Sequence, residues 1–306
     1  MVVFVPDAPG PLRHAERFTR GVAGAESNVA IGLCRLGHRA GWSGRVGDDE
    51  FGAFILATLR GEGVDVRLAV RDARGPTGVM FKERSAGADS RVFYYRRHSA
   101  ASLLDAADVP AAELRRAKWL HLTGITPALG EGPRRAVFAA AEGARAAGVR
   151  VSFDPNYRAR LWSTEEAAPV LRRLAAQADL LLCSEEEGRL MFGAEEPRAI
   201  VRAACAAGCG MVAVKRGGLG ALVGTAGGAW EVPAWPIPAV VEPTGAGDAF
   251  AAGFLAGLLE ARPPAEAGRM GAVCGALACR VAGDWEGAPE RPLLDRLLGG
   301  RPQPLR

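Results

Sequence analysis

One loop, Gly245-Ala246-Gly247-Asp248, carries residues whose types and spacing could do chemistry. Its small residues let the backbone turn tightly, and the apolar run that follows predicts a helix from Asp248 to Glu260. Unpaired N–H groups and the positive end of the helix dipole meet at such a terminus, so an anion could bind there. Asp248 would then hold a carboxylate beside that anion. The alternative is a plain turn followed by an ordinary first-turn acid.

Polar residues also follow the predicted strands of the second half of the chain. From residue 117 onwards, short apolar strands alternate with helices, which is typical of a mostly parallel sheet covered by helices on both faces. We predict strands at 119–122, 149–153, 179–183 and 211–215 and a last one ending near Val241, with helices at 132–148, 164–177, 184–192 and 199–207.

The carboxyl ends of parallel strands meet at one edge of the sheet, where ligands bind in this architecture. Four of the five strand ends carry charge. The charged ends are 154–158, 184–187, 215–220 and 242–248, and the uncharged one is 123–126. This clustering favours a ligand site over ordinary turns.

Residues 64–99 have a different pattern from the rest of the chain. Strand-like alternation at 66–70, 77–83 and 91–97, with a turn at 86–89, predicts a small antiparallel sheet that serves as a lid, an oligomer interface or both. On its last strand the alternation places Tyr94 and Arg96 on one face. An Arg beside a Tyr hydroxyl suits a carboxylate ligand, whereas the alternative is a solvated edge strand.

Composition excludes several classes of function. The 306 residues are 49% hydrophobic and 24% charged, and the net charge is only +4 with no basic block, which argues against a nucleic-acid or membrane surface. No apolar stretch reaches the length of a transmembrane helix, and the N-terminus has no signal-peptide pattern. We therefore expect a cytoplasmic protein. The six cysteines lie in apolar segments without metal-site spacing, and we expect buried free thiols.

Two separated blocks resemble the signatures of one family. Residues 24–30 (GAESNVA) with 35–37 (RLG) and 44–52 (GRVGDDEFG) are similar to the N-terminal signature of the ribokinase (PfkB) family of sugar kinases. Residues 242–250 (EPTGAGDAF) resemble its C-terminal signature. Four further stretches look most like the 2-keto-3-deoxygluconate kinases of that family: 91–96 (RVFYYR), 121–127 (HLTGITP), 154–158 (DPNYR) and 283–287 (GDWEG).

The resemblance implies a fold and an activity. The fold would be a ribokinase-like three-layer α/β sandwich with a mostly parallel central sheet, forming a single domain over 1–306 with β-lid segments at about 5–22 and 64–99. The activity would be ATP-dependent phosphorylation of the terminal hydroxyl of 2-keto-3-deoxygluconate. In it, Asp248 would be the general base, and Gly245, Ala246 and Gly247 would form the anion hole. ATP and Mg²⁺ are the implied cofactors, and a monovalent cation such as K⁺ is a further one.

The resemblance also assigns residues to each ligand. The nucleotide would contact Asn156, Arg158, Ser184, Lys215, Arg216, Gly217, Gly218 and Gly220. The sugar acid would contact Gly24, Asn28, Tyr94, Arg96, Arg158, Asp248 and Asp284, with Arg96 or Arg158 meeting its carboxylate. Glu187 stands at the family's magnesium-linked acid, where contact through water is implied because Ser184 replaces the usual Asn.

Three departures from the family pattern accompany the match. Met80 occupies a lid position where close relatives carry Tyr, and Glu242 replaces the commoner Asp near the implied cation site. Relatives also begin with a further strand, and we expect the native protein to carry it.

Two other functions stay open at this point: a kinase for a neutral sugar such as fructose or ribose, and a catalytically idle sugar-acid sensor. We also expect a homo-oligomer formed through the lid, because open sheet edges tend to be paired or covered.

Overall fold

The structure is a computed structural model that describes residues 1–83 and 91–299, so the predicted turn at 86–89 lies outside the described residues. In these ranges the strands are β1 (Val2–Pro6), β2 (Phe18–Val22), β3 (Gly44–Gly47), β4 (Ala69–Asp72), β5 (Val79–Lys82), β6 (Val92–Tyr95), β7 (Trp119–Thr123), β8 (Arg150–Asp154), β9 (Leu180–Ser184), β10 (Met211–Lys215), β11 (Ala221–Thr225) and β12 (Gly228–Val232). The α-helices are α1 (Ala25–Arg35), α2 (Glu50–Gly61), α3 (Ala111–Leu114), α4 (Glu131–Ala146), α5 (Thr164–Ala175), α6 (Glu185–Phe192), α7 (Pro197–Ala206), α8 (Ala246–Leu259), α9 (Pro264–Ala278) and α10 (Arg291–Leu298).

The predicted alternation of the second half forms a six-stranded sheet in the order β12-β11-β10-β9-β8-β7. Strands β7 to β10 run parallel, and β11 and β12 add an antiparallel hairpin at one edge that the sequence pattern did not reveal. The strand predicted to end near Val241 is wrong, because residues 233–244 form no strand. Pro233, Pro236 and Pro238 lack the N–H groups that a central strand needs.

Helices cover both faces of this sheet. Leu181 on β9 points into a core shared with α5, α6 and α7, where Leu171 and Ile200 are fully buried. Its neighbours Leu180 and Leu182 point the other way, into a core shared with α1, α8 and α9. The alternation along one buried strand thus builds a three-layer sandwich. Helix α8 is buried almost all round, which explains its continuous apolar sequence.

The lid is a four-stranded sheet in the order β2-β1-β5-β6. It is mixed rather than wholly antiparallel, because β1 pairs with β5 in parallel. The strand expected at 66–70 lies at Ala69–Asp72 and pairs with β3 in parallel, outside the lid sheet. Strand β4 pairs with β3 because, after helix α2, the chain runs alongside β3 and in the same direction.

Two further expectations concern the whole chain. All six cysteines are free thiols, and Cys183, Cys209 and Cys274 are buried while the other three are half-buried. Among residues 1–83 and 91–299, no helix combines the length and apolar character that a bilayer crossing requires.

Candidate active site

The anion loop, residues 245–248, lies at the N-terminus of α8. Gly245 caps the helix in the left-handed conformation, with φ of 79°, and a Cβ there would overlap the main-chain carbonyl of Asp284. The helix begins at Ala246, two residues earlier than expected, and the Ala246 N–H donates to the Pro243 carbonyl at 3.2 Å. Glycine at 245 is thus required by both backbone conformation and close packing.

Asp248 is a buried carboxyl on the first turn of this helix. It is 9% exposed, and Asn28 Nδ2 donates to its Oδ2 at 2.7 Å. Burial raises the pKa of Asp248 from 3.8 to about 7; the Asn28 hydrogen bond and Lys215 oppose this rise, while Asp154 and Asp284 add to it. A carboxylate that titrates near neutral pH has the proton affinity expected of a general base.

Lys215, the last residue of β10, lies beneath the anion loop. Its Nζ is 2.6 Å from Oδ2 of Asp154 and 3.4 Å from the position a Cβ would take on Gly247. Burial opposes the charge of the ammonium, but the carboxylates of Asp154, Glu187 and Asp248 together outweigh it and raise the pKa of Lys215 above its ordinary value. The ammonium is therefore fixed as a positive charge where phosphate oxygens would meet the loop.

The residues after Lys215 form a tight, glycine-rich loop. Gly217–Leu219 is a single 3-10 turn, which the Arg216 N–H closes by donating to the Gly220 carbonyl at 2.8 Å. The Arg216 side chain lies 3.3 Å from Glu185 and 3.1 Å from Glu231. A Cβ at Gly217 or Gly218 would meet no atom within 4 Å, so a ligand could approach the backbone there.

The predicted metal acid Glu187 makes a capping box with Ser184 at the start of α6. Its Oε2 accepts from the Ser184 N–H and its Oε1 from the Tyr157 N–H, each at 2.8 Å, while the Ser184 hydroxyl accepts from the Glu187 N–H. Within the described part of the chain, no group of three or more acids, histidines or cysteines could hold a metal by itself. Glu187 and its neighbours therefore fit a Mg²⁺ ion that keeps most of its water ligands and is bound mainly by phosphate oxygens.

Asn156 and Arg158 follow β8 on the same side of the sheet. Asn156 has an unusual positive φ of 40° and its N–H donates to Asp154 Oδ1 at 3.1 Å, so it continues the turn that places Asp154. Arg158 is exposed, and its charge acts on Arg96 of the lid. The strand-end loop and the lid therefore face each other.

The lid contributes Arg96 and Tyr94. The Arg96 guanidinium lies 4.6 Å from the centre of the Tyr94 ring, and burial lowers its pKa. The Arg96 Nε is buried without a hydrogen-bond partner. Among residues 1–83 and 91–299, Arg96 forms no ion pair, and its one hydrogen-bond contact is a long one of 3.8 Å from Nη1 to the Met1 sulfur. Arg96 is half-buried, and Glu26 acts on its charge without forming an ion pair. A partly desolvated guanidinium with an unpartnered Nε is an incomplete arrangement, since buried charges are normally paired.

Asn28 and Gly24, two residues predicted to contact the sugar, lie at the start of α1. Asn28 uses its amide nitrogen on Asp248, and its Oδ1 is buried without a partner. The Gly24 carbonyl accepts from Ser27 and Asn28, each at 2.8 Å. The site thus presents one unsatisfied acceptor and one unsatisfied cationic donor to a ligand.

Three residues of this site were given no role in the sequence analysis. Asp154 forms an ion pair with Lys215, and Lys82 on β5 lies 2.5 Å from Asp284. Glu26 accepts hydrogen bonds from the hydroxyls of Thr123 at 2.6 Å and Thr126 at 2.8 Å. Asp154 stands at a charged strand end, and that position is the signal that could have identified it.

Comparisons with known proteins define the class to which this fold belongs. The model of the pfkB family carbohydrate kinases matches residues 1–291, and the chain belongs to this family. It is 37% identical to the 2-dehydro-3-deoxygluconokinase of Bacillus subtilis over 98% of this chain and 94% of that protein. It is also 36% identical to a fructokinase of Klebsiella pneumoniae over 97% and 96% of the two chains.

Solved structures confirm the ribokinase-like fold. A PfkB protein from Polaromonas sp. superposes with a TM-score of 0.89 at 40% identity, covering 96% of both chains. A putative ribokinase II from E. coli, in complex with ATP and Mg²⁺, superposes with a TM-score of 0.90 at 26% identity over 98% of this chain and 96% of that one. The chain is therefore a carbohydrate kinase.

Proposed function

We propose that this protein phosphorylates the terminal hydroxyl of 2-keto-3-deoxygluconate with ATP. The observation that carries the proposal is the half-buried Arg96 guanidinium: its Nε is buried without a hydrogen-bond partner, and it forms no ion pair within the described residues. A sugar acid supplies a carboxylate partner, whereas a neutral sugar leaves the charge unpaired. The similarity to the B. subtilis enzyme supports the same substrate class.

Asp248 is the proposed general base. Its raised pKa lets the carboxylate take the proton of the sugar hydroxyl at neutral pH, and the Asn28 amide fixes its orientation. Lys215 and the N–H groups of Gly245 and Gly247 would stabilise negative charge that builds up beside Asp248, whereas the Ala246 N–H is engaged by the Pro243 carbonyl. Positioning and electrostatics of this kind supply most of the catalysis in phosphoryl transfer.

ATP and Mg²⁺ fit the residues present. Bound ATP would supply the phosphoryl group and Mg²⁺ the charge that neutralises its oxygens. Gly217 and Gly218 offer an open backbone for the nucleotide, between Arg216 and the closely packed Gly220. Asn156, Arg158 and Ser184 would flank the nucleotide, and Glu187 would meet the ion through water. The Glu242 carboxylate fits K⁺ less well than the other residues fit ATP and Mg²⁺. Its Oε1 already accepts hydrogen bonds from the Thr244 N–H and hydroxyl, and the Lys82 ammonium lies 3.9 Å from its Oε2. Equal turnover in potassium and sodium salts is therefore expected.

A neutral-sugar kinase is the second candidate, because the K. pneumoniae fructokinase is nearly as similar. An idle sugar-acid sensor has less support, since Asp248 and Lys215 are both in place and the family is one of kinases.

A coupled ATPase assay against 2-keto-3-deoxygluconate, fructose and ribose tests the proposal. Replacing Arg96 with Ala should lower kcat/KM on the sugar acid by roughly 10²-fold, the loss of a charged hydrogen bond, and leave any turnover of neutral sugars unchanged. Arg97→Ala, one residue further along and exposed, is the matched control. Faster turnover of fructose than of the sugar acid by the wild type would overturn the proposal, and binding without turnover would favour the sensor.

We also propose that the outer face of the lid forms a homo-oligomer. Tyr95, which is 64% exposed, and Phe93 lie on that face. Sedimentation of the native protein tests this, and a monomer at all concentrations would contradict it.

A further inference from the structure

Lysine is rare in this chain. Of its 38 Lys and Arg residues, only Lys82, Lys118 and Lys215 are lysines. Lys118 is exposed, Lys215 lies under the anion loop, and Lys82 is 6% exposed at the end of lid strand β5. A lysine ammonium is a compact charge that fits between two close carboxylates, whereas Arg presents a broad planar fork. Two of the three lysines thus lie at the candidate site, Lys82 buried and Lys215 half-buried.

The Lys82 ammonium connects three separate segments. Its Nζ is 2.5 Å from Oδ1 of Asp284, in the loop after α9, and 3.9 Å from Oε2 of Glu242, in the segment before α8. The Lys82 and Asp284 side chains are each 7% exposed. A lid strand is therefore tied to the main body of the fold by a buried ion pair.

This ion pair lies against the anion loop. The Asp284 carbonyl packs where a Cβ of Gly245 would be, and the Asp284 carboxylate is close enough to act on the charge of Asp248. On the lid side, β5 pairs with β6, so that Met80 lies beside Tyr94 on the same inner face as Lys82. Lys82 therefore occupies the boundary between the lid residues and the general base.

Stability alone is a weak reason for such a pair. Burying two charges costs several kcal/mol of desolvation, and apolar residues of similar volume often stabilise a fold as well or better. The inner face of the lid around Lys82 is apolar, with Met80, Val92 and Val3 as neighbours. An ammonium at this position is better explained by what it does to Asp284.

We propose that Lys82 is a positioning residue: it holds one carboxylate oxygen of Asp284 so that the other accepts from a substrate hydroxyl, and it fastens β5 over the site. The inference rests on the proposed function through the sugar contact of Asp284. Lid opening must break the ion pair, and lid closure restores both the pair and the orientation of Asp284. Lys82 thus acts through Asp284 and does not touch the reacting atoms.

Steady-state kinetics with Lys82→Met, Asp284→Asn and the double variant test the coupling. Lys82→Met should raise KM for 2-keto-3-deoxygluconate about tenfold or more, as for loss of a charged hydrogen bond, with kcat changed much less. The double variant should be no worse than Asp284→Asn, and Lys82→Arg should recover part of the loss. Lys118→Met, at the exposed lysine, is the matched control. Effects of the two single variants that multiply, or an unchanged KM, would overturn the proposal.

Amide hydrogen exchange of the lid, without substrate, separates this inference from the proposed function. Peptides covering β5 should exchange about tenfold faster in Lys82→Met than in Lys118→Met, because the fastening to Asp284 is lost. If Lys82→Met fails to fold, the double variant carries the test, since it removes both charges of the buried pair and leaves only the more exposed Glu242 carboxylate without its lysine. Equal exchange in the variant and the control would refute the fastening role. Lack of wild-type turnover on the sugar acid would instead refute the proposed substrate.

Discussion

Replacing Asp248 with Asn should stabilise the protein at pH 8 while removing most of its activity. Burial raises the pKa of Asp248 from 3.8 to about 7. Between these pH values the folded state keeps a proton that the unfolded state has lost. The free energy of unfolding therefore falls as the pH rises from about 4 to about 7, and it levels off above that.

The size of the effect follows from the shift. A rise of about three pKa units, at about 1.36 kcal/mol per unit, costs the folded state at most about 4 kcal/mol at pH 8. An Asn side chain keeps an oxygen that accepts from Asn28 and carries no charge, so the variant avoids this cost. Near pH 4 the wild-type carboxyl is already protonated, and the gain should disappear.

Thermal unfolding of wild type and Asp248→Asn between pH 4.5 and 8 measures this difference. The variant should gain about 2 °C in Tm for each kcal/mol at pH 8 and little at pH 4.5. Its kcat should fall by roughly 10²- to 10⁴-fold, the contribution of a general base. Asp48→Asn, at a half-exposed acid beside Arg71, is the control and should leave both quantities nearly unchanged. A variant that is no more stable than wild type at pH 8, or whose gain is the same at every pH, would refute the reasoning.

Two further substitutions test the anion loop and its lysine. Gly245→Ala should impair folding and activity together, because its φ is 79° and a Cβ would overlap the Asp284 carbonyl. Gly37→Ala is the control: its φ is 85° and no atom lies within 4 Å of the added Cβ, so the substitution should cost only about 1–2 kcal/mol of stability. Equal losses in Tm for the two variants would contradict the packing argument. Lys215→Met should shift the acidic limb of the pH–kcat profile to higher pH by about one pH unit, because Lys215 lowers the pKa of Asp248. An unshifted limb would show that the Lys215 charge does not tune the pKa of the base.

The sequence predicted those parts of the fold that depend on local pattern. The parallel strands from Trp119 to Lys215 and their helices lie within about two residues of their predicted bounds, because apolar periodicity and caps are properties of neighbouring residues. The anion loop was likewise recognisable, since its glycines, its acid and the apolar helix that follows are adjacent in the sequence. Alternation also indicated the lid strands within 64–99, and the family resemblance added the lid segment at about 5–22.

Contacts between distant residues could not be predicted in this way. Lys82 and Asp284 are 202 residues apart, and nothing in the neighbourhood of either residue indicates the other. The parallel pairing of β4 with β3 depends on where α2 returns the chain, which periodicity does not encode. Burial causes the shifted pKa of Asp248, and the packing that buries it comes from several segments.

Ser184 and Glu187 form a capping box that the sequence itself indicates. An S-x-x-E pattern before a helix is a recognised N-terminal signal, and the structure has both of its hydrogen bonds. The family resemblance directed attention to Glu187 as a metal-linked acid instead. One carboxylate can serve both purposes, because each of its oxygens accepts more than one hydrogen bond.

The buried thiols make this protein a convenient host for spectroscopic labels. Burial raises the pKa of Cys209 and of Cys274 to about 12 and also raises that of Cys183, and the thiolate is the form that reacts with maleimides. A cysteine introduced at Tyr95, on the outer face of the lid, would therefore react well before the buried thiols. With the half-buried Cys34, Cys205 and Cys279 replaced, a single fluorophore or spin label could follow movement of the lid while the three buried cysteines stay in place.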